Sequence, residues 1–316
     1  MGALRAAVIG AGNMGRHHVR ILGAMDDVEL VGVVDPDTAR AESHASLAGA
    51  PVFASLDELP QVDIAVVATP TEFHAENTMR LLKAGTHVLV EKPLAPTAEE
   101  AEALVELARE RGLVLAVGHV ERFNAAVSLV ASLVRSPKLI SIERLSPFTP
   151  RIRDSVVFDL MVHDLDIACW LAGGYPVRVE AAGGKVFSED LDVASAVLTF
   201  GNGCVATLQA SRATQDKVRS ITVTEPDRYI LADTVRQDVS VKREAEVAFD
   251  DAAGQYAYRQ ANVVEVPYLD RTGEPLAREL RDFIEAARGE HAPRVSGEDG
   301  VNAVRLAAAV EAAARG

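Results

Sequence analysis

The sequence predicts a two-domain α/β protein. An N-terminal doubly wound parallel (Rossmann) sheet is followed by a C-terminal α/β domain with a large open, mostly antiparallel sheet. Three observations carry this. Over residues 1–120, short runs of Val, Ile, Leu and Ala alternate with helical patterns. A glycine-rich turn, GAGNMG (10–15), links the first run to the first helix. Beyond 120, β runs follow one another with no helix between them. The expected domains are therefore 1–120 and 121–316.

Taken in order, the N-terminal strands are RAAVIG (5–10), VELVGVVD (28–35), VDIAVVAT (62–69), THVLVE (86–91) and LVLAVG (113–118). Their nearly unbroken apolar character suits strands covered on both faces. Thr97-Ala-Glu-Glu100 is a capping box that opens a helix with an apolar stripe at Ala101, Leu104, Val105, Leu107 and Ala108, and Gly112 closes it. In the second domain, VASAVLTF (193–200) and CVATLQAS (204–211) form a hairpin through Gly201-Asn202-Gly203. Further strands are read at 218–224, 228–233 and 263–267, and helices at 276–288 and 299–315. One face of this sheet is helix-covered; the other needs solvent or a partner.

The chain has 316 residues and a formal net charge of −14, which disfavours nucleic acid and anionic membrane surfaces as partners. No apolar run approaches the ~20 residues of a membrane span. Two cysteines, Cys169 and Cys204, read as buried free thiols and point to a reducing cytoplasm.

Gly10, Gly12 and Gly15 have separate tasks in a dinucleotide site: a tight turn, close approach of the backbone to a pyrophosphate, and close helix–strand packing. Asn13 and Met14 lie in the same turn, and the helix behind it presents N–H groups and a partial positive charge to phosphates. Asp35 ends the second strand, 20 residues after Gly15, where it can accept hydrogen bonds from ribose hydroxyls. A carboxylate there favours NAD over NADP, although Arg40 is near enough to meet a phosphate. His17 and His18 read as polar surface or packing residues of the first helix.

Thr69-Pro70 and Glu91-Lys92-Pro93 follow strands of the parallel sheet, at the carboxyl ends where such sheets bind ligands. The stretch FDLMVHDLD (158–166) threads charges through hydrocarbon. In an α-helix, Asp159 and His163 share a face, joined by Asp166 and Trp170, with apolar flanks on both sides. That pattern suits a mostly buried helix facing a polar cleft, with Asp164 and Asp166 open to a structural reading as ion-pair partners. A metal is not expected, since no second His or Cys cluster completes a ligand set. Arg122, and Arg151 with Arg153, flank the first strand of the second domain. They could bind a diphosphate through their guanidinium forks or pair with surface acids.

VIGAGNMGRHH (8–18), ATPTEFHAE (68–76), VLVEKPLAPTAEEAEAL (88–104), VGHVERFN (117–124), DLMVHDLD (159–166) and the tail 283–307 together resemble the Gfo/Idh/MocA oxidoreductases over essentially the whole chain. The resemblance implies NAD(P)-dependent chemistry on a carbohydrate hydroxyl, and homodimers or homotetramers built through the C-terminal sheet. It implies Lys92, Asp159 and His163 as catalytic residues and Thr69, Pro70, His74, Glu91 and Lys92 beside the cofactor. It also implies His119, Arg122, Asn124 and Arg151 beside the substrate. GHVERFN followed by DLMVHDLD is most similar to the family's UDP-N-acetylglucosamine 3-dehydrogenases, although Ala125 stands where those usually carry proline. Inositol or free-sugar oxidation, and a non-catalytic NAD-binding protein, are the competing expectations; intact Lys92, Asp159 and His163 weigh against the last.

Overall fold

The computed structural model describes residues 2–149, 154–250 and 256–316. The chain divides into two compact units. The first holds Met1–Val120 and Gly273–Leu306; the second holds Glu121–Thr272 and Ala307–Gly316.

In the first unit, strands β1 (Leu4–Ile9), β2 (Val28–Val34), β3 (Val52–Phe53), β4 (Ile64–Val67), β5 (His87–Glu91) and β6 (Leu115–Gly118) form one sheet of order β3-β2-β1-β4-β5-β6. Every pairing is parallel. This is the doubly wound dinucleotide-binding order, which reverses beside β1 and so puts the glycine turn at the switch point. The two-residue β3 escaped the sequence reading because so short an edge strand carries no period. The connecting helices are α1 (Gly15–Leu22), α2 (Thr38–Ala48), α3 (His74–Lys83) and α4 (Ala98–Arg111). The α4 cap is the expected one: the Thr97 hydroxyl accepts from the Glu100 N–H at 3.2 Å, and Gly112 closes the helix at φ 63°. The reciprocal contact differs, because Thr97 Oγ1 donates to the Glu100 carboxylate at 3.1 Å.

The second unit runs α5 (Ala125–Leu133), β7 (Leu139–Leu145), a helical stretch ending in α6 (Val162–Ala172), then β8 (Pro176–Gly184), β9 (Val193–Phe200), β10 (Val205–Ser211), β11 (Val218–Thr224), β12 (Tyr229–Asp233), β13 (Asp238–Asp250) and β14 (Tyr256–Glu265). Its sheet has the order β14-β13-β12-β11-β7-β10-β9-β8, and only β7–β10 pair in parallel. The predicted hairpin is β9–β10. Strict alternation buries Ile140 and Ile142, Ala194, Ala196 and Leu198, Ala206, Leu208 and Ala210 on one face. Helices α5 and α6 cover that face. The opposite face carries Ser141, Thr207, Glu143 and Ser220, joined as Thr207–Ser141 and Ser220–Glu143 hydrogen bonds, together with exposed Leu139 and Val197.

The expected split at 120 and 121 coincides with the first change of unit, but Gly273–Leu306 groups with the N-terminal unit, where the sequence reading had assigned it to the other. The reason is the apolar stripe of α7 (Pro275–Ala287). Leu276, Leu280, Phe283 and Ile284 enter the same core as Val8, Val19, Leu22, Val33 and Val66. The last helix, α8, spans Gly297–Arg315. Among the described residues no helix is long and apolar enough to cross a membrane. Both cysteines are free; Cys204 is buried, whereas Cys169 is half-buried, not buried as expected.

Candidate active site

The first unit builds its cradle from backbone. Gly10 has φ 97°, and a Cβ there would sit 2.7 Å from the Ala68 carbonyl oxygen; one on Gly15 would meet the Gly10 oxygen at 1.8 Å. A Cβ on Gly12 would meet nothing within 4 Å. Gly12 is thus the open glycine, with room above it for a ligand. Asn13 is exposed and Met14 half-buried. Met14 is the N-cap of α1 and makes no side-chain cap bond, while the Arg16 and His17 N–H groups of the first turn donate to the Gly12 and Met14 oxygens at 3.1 and 2.9 Å.

The Ala11 N–H donates to Asp35 Oδ2 at 2.7 Å, which fastens the turn to the end of β2. Asp35 Oδ1 accepts from the Asp37 N–H at 2.9 Å and from Arg40 Nη2 at 2.7 Å. Burial opposes the Asp35 charge, but the two N–H groups and Arg40 hold its carboxyl below the usual range. Arg40, read as able to meet a phosphate, is engaged by Asp35 instead. Open space over Gly12 beside an ionised Asp35 fits a dinucleotide carrying free ribose hydroxyls.

Two loops close the carboxyl end of the sheet. Thr69 is half-buried and Pro70 exposed after β4, while Lys92 follows β5 half-buried and joins Pro93 through a cis bond. His74 is buried and lies between them, its Nδ1 2.7 Å from the Pro93 oxygen and its Nε2 2.9 Å from the Thr69 oxygen. It was expected to touch cofactor; both ring nitrogens face backbone carbonyls, so it ties the loops together. Glu91, also expected beside cofactor, is buried with Oε1 2.8 Å from His18 Nε2. Burial opposes its charge, yet His18, Lys92 and His74 hold its carboxyl below the usual range. His18 is wholly buried, the packing alternative of the two that the sequence left open.

Sequence reading missed Glu279 of α7. It is buried, and among the described residues neither carboxyl oxygen has a hydrogen-bond partner. Burial, reinforced by Glu91 and Asp282, pushes its carboxyl well above the usual range. The signal was available: Glu279 interrupts the Leu276, Leu280, Phe283 stripe at helical spacing.

In the second unit, Val157–Met161 is a π-helical turn that runs into α6. The π turn departs from the continuous α-helix assumed from the sequence. Asp159 and His163 are both half-buried. Asp164 and Asp166 are buried and committed. Arg144 Nε donates to both Asp164 oxygens at 2.8 and 3.0 Å, and its Nη1 to Glu121 at 2.9 Å. Arg122 forks onto Asp166 at 2.8 and 2.6 Å, with its Cζ 5.2 Å from the Trp170 ring centroid.

Arg122 was expected beside substrate; the structure commits its guanidinium to α6. Asn124, also expected there, caps α5 by accepting from the Ala126 N–H at 3.0 Å and donates to the Thr234 oxygen at 3.0 Å. His119 is buried at the end of β6 in the first unit. Arg151 and Arg153 lie outside the described residues.

Comparison with known proteins returns two family models. "Oxidoreductase family, NAD-binding Rossmann fold" matches residues 4–119, and "GFO/IDH/MocA C-terminal domain" matches 135–225. A UDP-N-acetylglucosamine 3-dehydrogenase of Acidithiobacillus ferrooxidans is 35% identical, covering 97% of this chain and 95% of its own. A solved structure of that enzyme superposes with TM-score 0.90 at 33% identity, over 99% of this chain and 98% of the other. A myo-inositol 2-dehydrogenase of Thermotoga maritima is 28% identical over 96% of this chain and 94% of its own.

Proposed function

The chain belongs to the Gfo/Idh/MocA oxidoreductase family, and from that membership we propose an NAD-dependent dehydrogenase that oxidises a secondary hydroxyl of a sugar nucleotide, namely C3 of a UDP-amino sugar such as UDP-N-acetylglucosamine. The observation that carries the catalytic assignment is the division of labour within DLMVHDLD. Asp164 and Asp166 are held by buried arginines, whereas Asp159 and His163 keep half-buried positions. The choice of sugar rests on the full-length likeness to the UDP-N-acetylglucosamine enzyme.

NAD, when bound over Gly12, supplies the hydride acceptor. His163 takes the proton of the substrate hydroxyl, because an imidazole titrates near neutrality. Asp159 orients the ring or stabilises the imidazolium. Lys92 holds the reacting oxygen and stabilises the charge that develops on it. Loss of hydride from carbon and of the proton from oxygen leaves a ketone. The roles of Lys92 and His163 are exchangeable in this scheme, since either can receive the proton. His119 and Arg151 remain proposed substrate contacts; Arg122 and Asn124 act by fixing α6 and α5. Asp35 disfavours a 2′-phosphate and so favours NAD over NADP. The uncovered face of the β7–β10 sheet, with Leu139 and Val197, is the proposed contact in a homodimer or homotetramer. The balance of charge and the free thiols favour a cytoplasmic enzyme.

Inositol oxidation is the second reading, favoured by the full-length likeness to the Thermotoga enzyme. The two are separated by NADH absorbance with UDP-N-acetylglucosamine or myo-inositol as substrate. Turnover of the UDP-sugar is expected; turnover of inositol alone, or of neither substrate, contradicts the proposal.

A further inference from the structure

Phe187 lies in the loop between β8 and β9 with 58% of its surface exposed. Its ring stands 5.2 Å from that of Phe148, tilted by 49°. Only 5% of the chain is aromatic, so an exposed Phe187 set against a half-buried Phe148 is a costly use of two such residues. The loop that presents Phe187 is firmly built. Asp192, with no exposed surface, accepts at Oδ2 from the N–H groups of Val186, Phe187 and Ser188 at 2.8, 2.6 and 2.9 Å. Its Oδ1 accepts from Ser188 Oγ and from Arg212 Nε, both at 2.8 Å. Arg212 is 2% exposed. A buried ion pair and three backbone donors thus fix the conformation of a loop whose tip is an exposed phenyl ring. Burial in the core cannot be what repays that arrangement, whereas a preorganised binding element is repaid by its ligand.

The same guanidinium connects this loop to the proposed chemistry. Arg212 Nη1 donates to the Asp154 carbonyl. The Val156 N–H donates to the Leu191 oxygen at 2.8 Å, and the Asp159 N–H to the Ser155 oxygen at 3.0 Å. Hydrogen bonds within the second unit, joined through the short backbone segment Asp154–Val156, therefore lead from the Phe187 backbone to the turn that carries Asp159. The substrate proposed above has a flat, uncharged base at the far end from its reacting sugar.

We infer that Phe187, supported by Phe148, is the platform on which the nucleobase of a nucleoside-diphosphate sugar stacks. This rests on the sugar-nucleotide reading and deepens it. A phenyl face recognises a base by its π surface, so the platform supplies affinity for the nucleotide half of the substrate and takes no part in hydride transfer. An inositol or a free sugar has no such surface to offer.

The test uses the full chain with Phe187→Ala, Phe187→Leu and Phe187→Tyr. Calorimetry measures the Kd of UDP and of NAD, steady-state kinetics with UDP-N-acetylglucosamine give KM and kcat, and light scattering gives molar mass. Loss of stacking is expected to raise both the Kd of UDP and the KM of the UDP-sugar by about tenfold or more in the Ala and Leu variants. The Tyr variant is expected to stay near wild type. The Kd of NAD, kcat and the molar mass are expected to be unchanged throughout. A wild type that binds UDP beside an Ala variant that binds it equally well overturns the platform and leaves the sugar-nucleotide reading standing. A wild type that neither binds UDP nor turns over the UDP-sugar overturns both. A variant that changes molar mass overturns the platform, since the rings then meet a second copy of the chain.

Discussion

The glycine turn of the first unit and the charged helix of the second make opposite use of their residues. At 10–15 the backbone is the working part, and side chains matter by being absent: a Cβ on Gly15 would lie 1.8 Å from a carbonyl oxygen. At 158–166 the side chains are the working part, and four polar groups of similar appearance divide into two structural and two proposed catalytic ones. That division is made by Arg122 and Arg144, which lie 44 and 20 residues from the aspartates they hold. Backbone function is local and can be read from a short motif. Side-chain function depends on which distant residue arrives as partner.

The contrast can be broken most sharply at the residues proposed for chemistry. Lys92→Ala is expected to lower kcat on UDP-N-acetylglucosamine by at least about 10², while NAD still protects the protein against thermal unfolding. A near-normal kcat would remove Lys92 from the mechanism. Arg122→Ala strands the buried Asp166 carboxylate and is expected to destabilise the fold by about 3–5 kcal/mol in urea titration. Asp159→Asn, in the same helical stretch, is expected to lower turnover and leave the urea midpoint near wild type. Equal stability losses in the two variants would erase the division of labour.

A finer comparison lies within the glycine turn. Gly15→Ala is expected to lower the melting temperature of the cofactor-free protein, because backbone must move to admit the methyl group. Gly12→Ala is expected to keep that melting temperature and lose much of the rise on adding NAD. The smallest effect concerns Glu279. Its folded carboxyl titrates above its unfolded value, so over the pH range between the two the unfolded chain releases a proton that the folded chain keeps. Stability is then full below the unfolded value and falls as pH rises through the folded one. Urea denaturation at a series of pH values is expected to show this decline in the wild type and to show it flattened in Glu279→Gln.

Much of this was legible in the sequence. The GAGNMG turn, the Thr97 cap with Gly112 and the β9–β10 hairpin all depend on neighbours a few residues away, and each stands where expected. What was missed or left open depends on distance along the chain. The hold of Asn124 on Thr234 was not visible because that partner is 110 positions away. Surface and packing could not be separated for His18 because its partner, Glu91, is 73 positions on. The α7 segment was assigned to the second domain because amphipathic spacing shows that a helix has a buried face but not which core receives it. The π turn at Val157–Met161 left no mark in a pattern read at α-helical period.

The proposed hydride transfer from C3, with His163 receiving the hydroxyl proton, is tested most directly by UDP-N-acetylglucosamine carrying deuterium at C3. Mass spectrometry of the reduced cofactor reports where the label goes. With the wild type, deuterium is expected in the NADH and a ketone at C3 of the sugar; with His163→Ala, which should still bind NAD, the label is expected to stay on the sugar. Unlabelled NADH from the wild type, or label transfer at the wild-type rate by His163→Ala, would contradict it.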